Sequence, residues 1–93
     1  MTQSMKATPD IVMYSTGWCS SCVRARALLE RKGATVLELK VDEDPAAREA
    51  MLARSGGRRT VPQIFIGDRH VGGFDELYAL EKAGTLDALL GRT

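Results

Sequence analysis

The chain has 93 residues, which is enough for one hydrophobic core but not for two. Thirteen basic and 12 acidic residues leave a formal net charge of +1, so the basic excess of a nucleic-acid or membrane-surface binder is missing. No apolar run approaches the roughly 20 residues that span a bilayer, and no segment typical of a secretory signal follows the N-terminus. We therefore expect a cytoplasmic protein with neither nucleic-acid nor membrane partners.

The first part of the chain predicts a strand followed by a helix. Residues 1–9 are mostly polar and lack periodicity, which is typical of a flexible tail, so we expect the domain to cover residues 10–93. The short apolar run at residues 11–14 favours a buried strand. Apolar residues at helical spacing over residues 20–32 predict a helix that ends at Gly33.

A second strand and helix follow. Residues 35–42 alternate between apolar and charged side chains, which predicts a half-buried strand. Its apolar face would carry Leu37, Leu39 and Val41, with Glu38 and Lys40 on the other face. The next helix is predicted to begin at an Asp44 cap with Pro45 in its first turn, and to end at Gly56-Gly57.

The last part of the chain predicts a hairpin and a final helical region. Residues 63–66 form a strand, and a turn at residues 67–68 leads into His70-Val71. The final helical region begins near Asp75 and breaks at Gly84. The order β-α-β-α-β-β-α makes the first two strands parallel and the last two antiparallel. The predicted fold is therefore α/β, with a four-stranded mixed sheet flanked by helices.

Both cysteines lie in one motif, Cys19-Ser20-Ser21-Cys22, where the first predicted helix begins. A Cys-x-x-Cys pair at the junction of the first strand and first helix is typical of a thioredoxin-like fold. The attacking species in thiol–disulfide exchange is a thiolate, and the free amides and positive dipole end of a helix N-terminus stabilise it. We therefore predict that Cys19 attacks and that Cys22, inside the first turn, resolves the mixed disulfide.

A zinc site and a structural disulfide are the competing interpretations of this motif. Structural zinc usually takes four protein ligands, whereas the chain has two cysteines and one histidine. Cytoplasmic thiols are kept reduced, and a loop this short constrains the unfolded chain little. Redox or sulfur-ligand chemistry is therefore favoured, and no metal ligand is expected in this role.

From Tyr14 to Leu90 the sequence closely resembles the bacterial dithiol glutaredoxins of the thioredoxin superfamily. Beyond the cysteine motif, the resemblance is carried by Thr60-Val61-Pro62 and by Gly72-Gly73-Phe74-Asp75. It implies a glutathione-disulfide oxidoreductase that reduces glutathione mixed disulfides and protein disulfides. Such an enzyme serves electron transport and cell redox homeostasis, with glutathione as co-substrate and glutathionylated or disulfide-containing proteins as partners.

The resemblance also implies a glutathione site. The peptide bond before Pro62 would be cis, and the backbone of Val61 would pair with the cysteine of glutathione. The helix start after Gly73 and the Asp75 carboxylate would hold the γ-glutamyl end. The full set of predicted glutathione-binding residues is Thr60, Val61, Pro62, Gly73, Phe74 and Asp75.

Two departures from the family pattern keep other functions open. Thr16 stands where many glutaredoxins carry a lysine, and Arg58 or Arg59 is a candidate replacement. Ser20 stands where proline is usual in the family. Members with serine at this position are the ones that more readily bridge a [2Fe–2S] cluster between two subunits. The alternative is therefore a cluster-binding dimer with Cys19 as the protein ligand, acting as an iron–sulfur carrier or sensor. Without a cluster we expect a monomer that is reduced by glutathione, by another thiol or by a reductase protein.

Four other side chains are interpreted apart from these motifs. Trp18 either forms an apolar wall for substrates or covers the core edge. His70 is interpreted as a turn residue without function. The pair Arg24 and Arg26 is interpreted as a solvated helix face that could also attract anionic glutathione.

Overall fold

The computed structural model describes residues 10–91 of the chain. The predicted flexible tail, residues 1–9, lies outside the described residues. Within residues 10–91, no helix is both long enough and apolar enough to cross a membrane. The described elements, in chain order, are β1 (Ile11–Ser15), α1 (Ser20–Arg31), β2 (Val36–Lys40), α2 (Pro45–Ser55), β3 (Gln63–Ile66), β4 (Arg69–Gly72), α3 (Phe74–Lys82) and α4 (Leu86–Leu89).

The four strands form one mixed sheet in the order β2-β1-β3-β4. Strand β1 is parallel to β2 and antiparallel to β3, and β3 is antiparallel to β4. This arrangement confirms the predicted thioredoxin-like α/β fold. The final helical region divides into α3 and α4 because Gly84 adopts a left-handed φ of 78°.

Helices cover both faces of the sheet, so the chain has two apolar clusters. Strands β1 and β3 are central, and their alternate side chains point to opposite faces. One cluster includes Met13, Leu29 and Leu77 and joins the sheet to α1, α3 and α4. The other includes Tyr14, Met51 and Phe65 and joins it to α2. The two central strands are therefore packed against helices on both faces, and this packing anchors the loops at their ends.

The predicted burial of β2 is corrected at one end. Leu39 packs against the α2 cluster and Val41 belongs to it, but Leu37 is 57% exposed. Strand β2 is an edge of the sheet, and Leu37 lies outside both clusters. The alternation of apolar and charged residues correctly predicted which face of β2 each side chain occupies. It did not predict how far α2 covers that face along the strand.

A polar network ties the end of β1 to β2 and α1. The buried Ser15 hydroxyl donates to Glu38, and Arg26 donates to the other Glu38 oxygen at 2.7 Å. Partial burial alone would raise the pKa of the Glu38 carboxyl, but the hydrogen bonds from Ser15 and Arg26, together with the charges of Arg26 and Lys40, lower it. Arg26 is therefore not merely solvated. Through Glu38 it helps to anchor α1, the helix that begins at the cysteine motif, to strands β1 and β2.

A second ionic contact joins α1 to the C-terminal helices. The Lys32 ammonium lies 2.7 Å from Glu81 and 3.0 Å from Asp87. Hydrogen bonds to these two carboxylates raise the pKa of Lys32. Because Glu81 lies in α3, this contact helps to hold α1 and α3 side by side.

Candidate active site

Cys19 is the N-cap residue of α1, as its position in the motif predicted. Its backbone is extended (φ −104°, ψ 107°), and its Sγ accepts a hydrogen bond from the Cys22 amide at 3.0 Å. Residues 20–23, the first turn of the helix, carry no acidic side chain. The helix start therefore presents its amide and positive dipole end to this sulfur without a competing carboxylate.

The second cysteine has a different environment. Cys22 is 1% exposed and belongs to the apolar cluster beneath α1, whereas Cys19 is only partly buried. Burial, followed by the hydrogen bond with Cys19, raises the pKa of the Cys22 thiol to about 12. One sulfur is thus accessible and supported by an amide, and the other is shielded and protonated at neutral pH. This asymmetry matches the predicted roles of attacking and resolving cysteine.

The loop before β3 faces the first cysteine. The Cys19 Sγ atom lies 3.7 Å from the carbonyl oxygen of Val61. The Val61-Pro62 peptide bond is cis, as the family resemblance implied. Val61 packs partly against both apolar clusters, so this loop rests on the core on each side of the sheet.

A groove of about 220 Å³ lies between this loop and the start of α3. All six residues predicted to bind glutathione line it, so the structure brings together the two segments that flank the β3-β4 hairpin. Their binding role stays a prediction. Three further residues share the lining and were not among the six: Ser21, Arg58 and Glu76.

Glu76 and Arg58 make the α3 end of the groove. Glu76 accepts a hydrogen bond from the Gly73 amide at 2.7 Å and lies 3.9 Å from the Arg58 guanidinium. Glycine suits position 72 because its φ of +109° is one that other residues rarely adopt, and a Cβ there would crowd Glu76 at 3.0 Å and Arg58 at 3.2 Å. A carboxylate three residues after the helix cap is a capping-box signal, and it could have indicated Glu76 from the sequence.

The two arginines and Trp18, whose roles stay predictions, differ in where the structure places them. Arg58 lines the groove, whereas Arg59 does not. Trp18 is 95% exposed beside Cys19, so it does not cover the core edge. An exposed indole at this position is consistent with the other interpretation, an apolar wall for substrates.

His70 is not a plain turn residue, and this interpretation is corrected. It lies in β4 and is partly buried, with its ring stacked on Phe65 at a centroid distance of 4.6 Å. Its Nε2 atom lies 2.6 Å from Oε1 of Gln63. Burial, followed by the charge of Arg58, lowers the pKa of His70.

Comparisons with known proteins agree with this geometry. A family model described as Glutaredoxin matches residues 11–71. A glutaredoxin from Pseudomonas aeruginosa is 56% identical over 82 residues, which is 88% of this chain and 96% of that protein. A buckwheat glutaredoxin–glutathione complex is similar at a TM-score of 0.78 and 32% identity, over 88% of this chain and 76% of the other. A structure described as "Metal Binding of Glutaredoxins" is similar at a TM-score of 0.69 and 50% identity, over 92% of each chain.

Proposed function

Because the chain belongs to the glutaredoxin family of thiol–disulfide oxidoreductases, we propose that it uses glutathione to reduce glutathione mixed disulfides and protein disulfides. The observation that carries the proposal is the placement of the Cys19 sulfur. It accepts an amide hydrogen bond at the start of α1 and lies beside the Thr60-Val61-Pro62 edge of the groove. We place this activity in the cytoplasm, where glutathione keeps thiols reduced.

The reaction with a glutathionylated substrate needs only Cys19. Its thiolate attacks the glutathione sulfur, so a Cys19–glutathione disulfide forms and the substrate leaves as a thiolate that takes up a proton. A second glutathione, as thiolate, then attacks the glutathione sulfur of that mixed disulfide. Oxidised glutathione leaves, and the Cys19 thiolate is restored with its amide hydrogen bond. In the net reaction one glutathione thiol is consumed for each mixed disulfide reduced, and the oxidised glutathione released contains the glutathione that was bound to the substrate.

A protein disulfide needs both cysteines. Cys19 attacks one substrate sulfur, and the mixed disulfide that forms is then attacked by Cys22 after its thiol loses a proton. The second substrate sulfur leaves, and a Cys19–Cys22 disulfide forms. Two glutathione molecules reduce this bond and are released as oxidised glutathione. The amide contact between the two residues supports this step because it keeps the two sulfurs in one helical turn.

The groove offers a complementary group to each charged end of glutathione. The exposed amides at the start of α3 suit the γ-glutamyl carboxylate, and Asp75 suits its ammonium group. Val61 offers backbone hydrogen bonds to the cysteinyl residue. Arg58 lines the same groove at a long contact of 3.9 Å from Glu76, and as the cation of the lining it is assigned to the glycyl carboxylate. Arg58 would thus supply the cation that Thr16 does not.

The role of Arg58 is tested by a matched pair of variants. Arg58→Gln is expected to raise the KM for a glutathione mixed disulfide about three- to tenfold, because one charge-assisted contact is lost. Arg59→Gln removes the same charge beside the groove and serves as the control, with a KM within about twofold of the wild type. Equal effects of the two variants would mean that only the general positive charge matters.

The glutathione dependence itself is tested in a coupled assay. NADPH oxidation is followed with glutathione, glutathione reductase and a small mixed disulfide. Steady turnover that requires both glutathione and Cys19 supports the proposal. Folded, reduced protein that turns over only with another thiol or with a reductase protein would contradict it, and would favour a thioredoxin-like reductase.

A [2Fe–2S] cluster-binding dimer is the second candidate function. The exposed Ser20 after Cys19 favours it, as does the similarity to a structure described by its metal binding. Among residues 10–91, no three His, Cys, Asp or Glu side chains form a metal site. A cluster would therefore take Cys19 from each of two copies and the thiolates of two glutathione molecules, and it would serve as cargo or as a sensor.

Anaerobic reconstitution with iron, sulfide and glutathione tests this second candidate. The expected result is a brown dimer that loses its colour when glutathione is removed, because glutathione supplies half of the sulfur ligands. Ser20→Pro is expected to lower the cluster yield, and Cys19→Ser to abolish it. A colourless, iron-free monomer after reconstitution would exclude the candidate.

A further inference from the structure

A line of three side chains runs from β4 to the loop that faces Cys19. The Nε2 atom of His70 lies 2.6 Å from Oε1 of Gln63. Nε2 of Gln63 in turn donates to the Thr60 carbonyl at 3.0 Å and to the Thr60 hydroxyl at 3.2 Å. Thr60 begins the segment that lines the groove, and Val61 follows it 3.7 Å from the Cys19 sulfur.

The direction of these hydrogen bonds follows from the Thr60 carbonyl. A backbone carbonyl only accepts, so the Gln63 amide nitrogen must face it and the Gln63 oxygen must face His70. His70 must then donate through Nε2. Burial and the neighbouring charges of Arg58 and Arg54 lower its pKa, while Glu76 acts in the opposite sense. The hydrogen-bond geometry therefore places a proton on Nε2 of His70, and the lowered pKa favours the neutral ring.

The middle of the line is fully buried. Gln63 is 0% exposed, so each polar atom of its amide needs a partner inside the protein. The His70 ring is held in place by stacking on Phe65, and the Arg54 guanidinium lies 4.0 Å from the centroid of that same phenyl ring. Loss of the His70 donor would leave a buried oxygen unpaired and free the Gln63 amide to rotate away from Thr60.

We propose that His70 is a positioning residue that acts through Gln63 to hold the Thr60-Val61-Pro62 loop against Cys19. It sets the affinity of the groove for the glutathione part of the substrate, while the chemical step at Cys19 is unaffected. The effect on affinity rests on the proposed function. The hydrogen-bonded line itself does not, so the two can be tested separately.

The line is tested by NMR on the reduced protein without glutathione. His70 is the single histidine of the chain, so its ring nitrogens are assigned without ambiguity. We expect Nε2 to carry the proton at pH 7, and Gln63→Met to remove this preference and shift the Val61 amide resonance. A wild-type ring protonated on Nδ1, or an unchanged ring in Gln63→Met, would overturn the proposal whether or not the protein uses glutathione.

The effect on binding is tested with two variants that separate donation from packing. His70→Phe keeps a ring on Phe65 but cannot donate, and it is expected to raise the KM for a glutathione mixed disulfide about three- to tenfold, with kcat within about twofold of the wild type. His70→Gln loses the ring but keeps an amide donor at similar reach, and its KM is expected within about twofold of the wild type.

The opposite order, with His70→Gln impaired and His70→Phe normal, would show a packing role and overturn the proposal. Equal behaviour of the two variants would overturn it as well. If His70→Phe does not fold, the ring tautomer of the wild type and the KM of His70→Gln decide the matter. A wild type without glutathione turnover contradicts the proposed function, and the NMR experiment then tests the line alone.

Discussion

Cys19→Ser is expected to lower turnover with every disulfide substrate by at least about 1000-fold, because a serine hydroxyl is neither ionised nor a strong nucleophile at neutral pH. The Cys22 amide would still donate to the new oxygen, so the fold and the groove are expected to persist. The measurement is NADPH oxidation in the coupled glutathione assay, with a small mixed disulfide and with a protein disulfide.

Thermal unfolding of Cys19→Ser provides the control, since this half-buried position should tolerate the smaller oxygen. Binding of oxidised glutathione to the variant provides a second control, because the groove itself is unchanged. Turnover within about tenfold of the wild type in a folded Cys19→Ser protein would assign the attack to another group and contradict the mechanism.

Cys22→Ser is expected to separate the two reactions. Turnover with a glutathione mixed disulfide should stay within about threefold of the wild type, since Cys19 alone performs that reaction. Reduction of a protein disulfide should fall by at least about 100-fold, because the mixed disulfide with the substrate is no longer resolved from within the protein. The two substrates are compared in the same coupled assay, at the same glutathione concentration.

Burial complicates this variant and calls for a matched control. Cys22 is 1% exposed, so a serine hydroxyl there costs about 1–3 kcal/mol if it finds no partner. Cys22→Ala removes the sulfur without adding a polar group and should show the same separation of activities. If both folded variants are inactive on the mixed disulfide, Cys22 takes part in that reaction and the division of roles is wrong.

The local elements were largely predictable because their signals are short-range. Asp44 caps α2 through bonds to two amides, and Gly56 ends it with a left-handed φ of 74°, as the sequence pattern predicted. The Cys19 cap is equally local, since the contact that defines it spans three residues. The buried face of α1 is local in the same sense, because Cys22 and Ala25 recur at the helical period.

The groove was predicted from family resemblance rather than from physical pattern. Nothing local to Thr60-Val61-Pro62 indicates that it faces a cysteine 42 residues earlier in the chain. By itself, the segment that begins at Gly73 predicts only the start of a helix. The two segments meet because β3 and β4 pair as an antiparallel hairpin. The loop before β3 and the helix after β4 therefore lie at the same end of these strands.

The sequence by itself thus determined the secondary structure, the mixed sheet and the position of Cys19 at a helix start. The tertiary structure alone decided the exposure of Leu37, the pairing of Arg26 with Glu38 and the contact of His70 with Gln63. The physical reason is the separation in sequence between the groups that interact. Backbone propensity and caps depend on neighbours within about one helical turn. The partner of a charged or polar side chain depends on which elements the whole fold brings together.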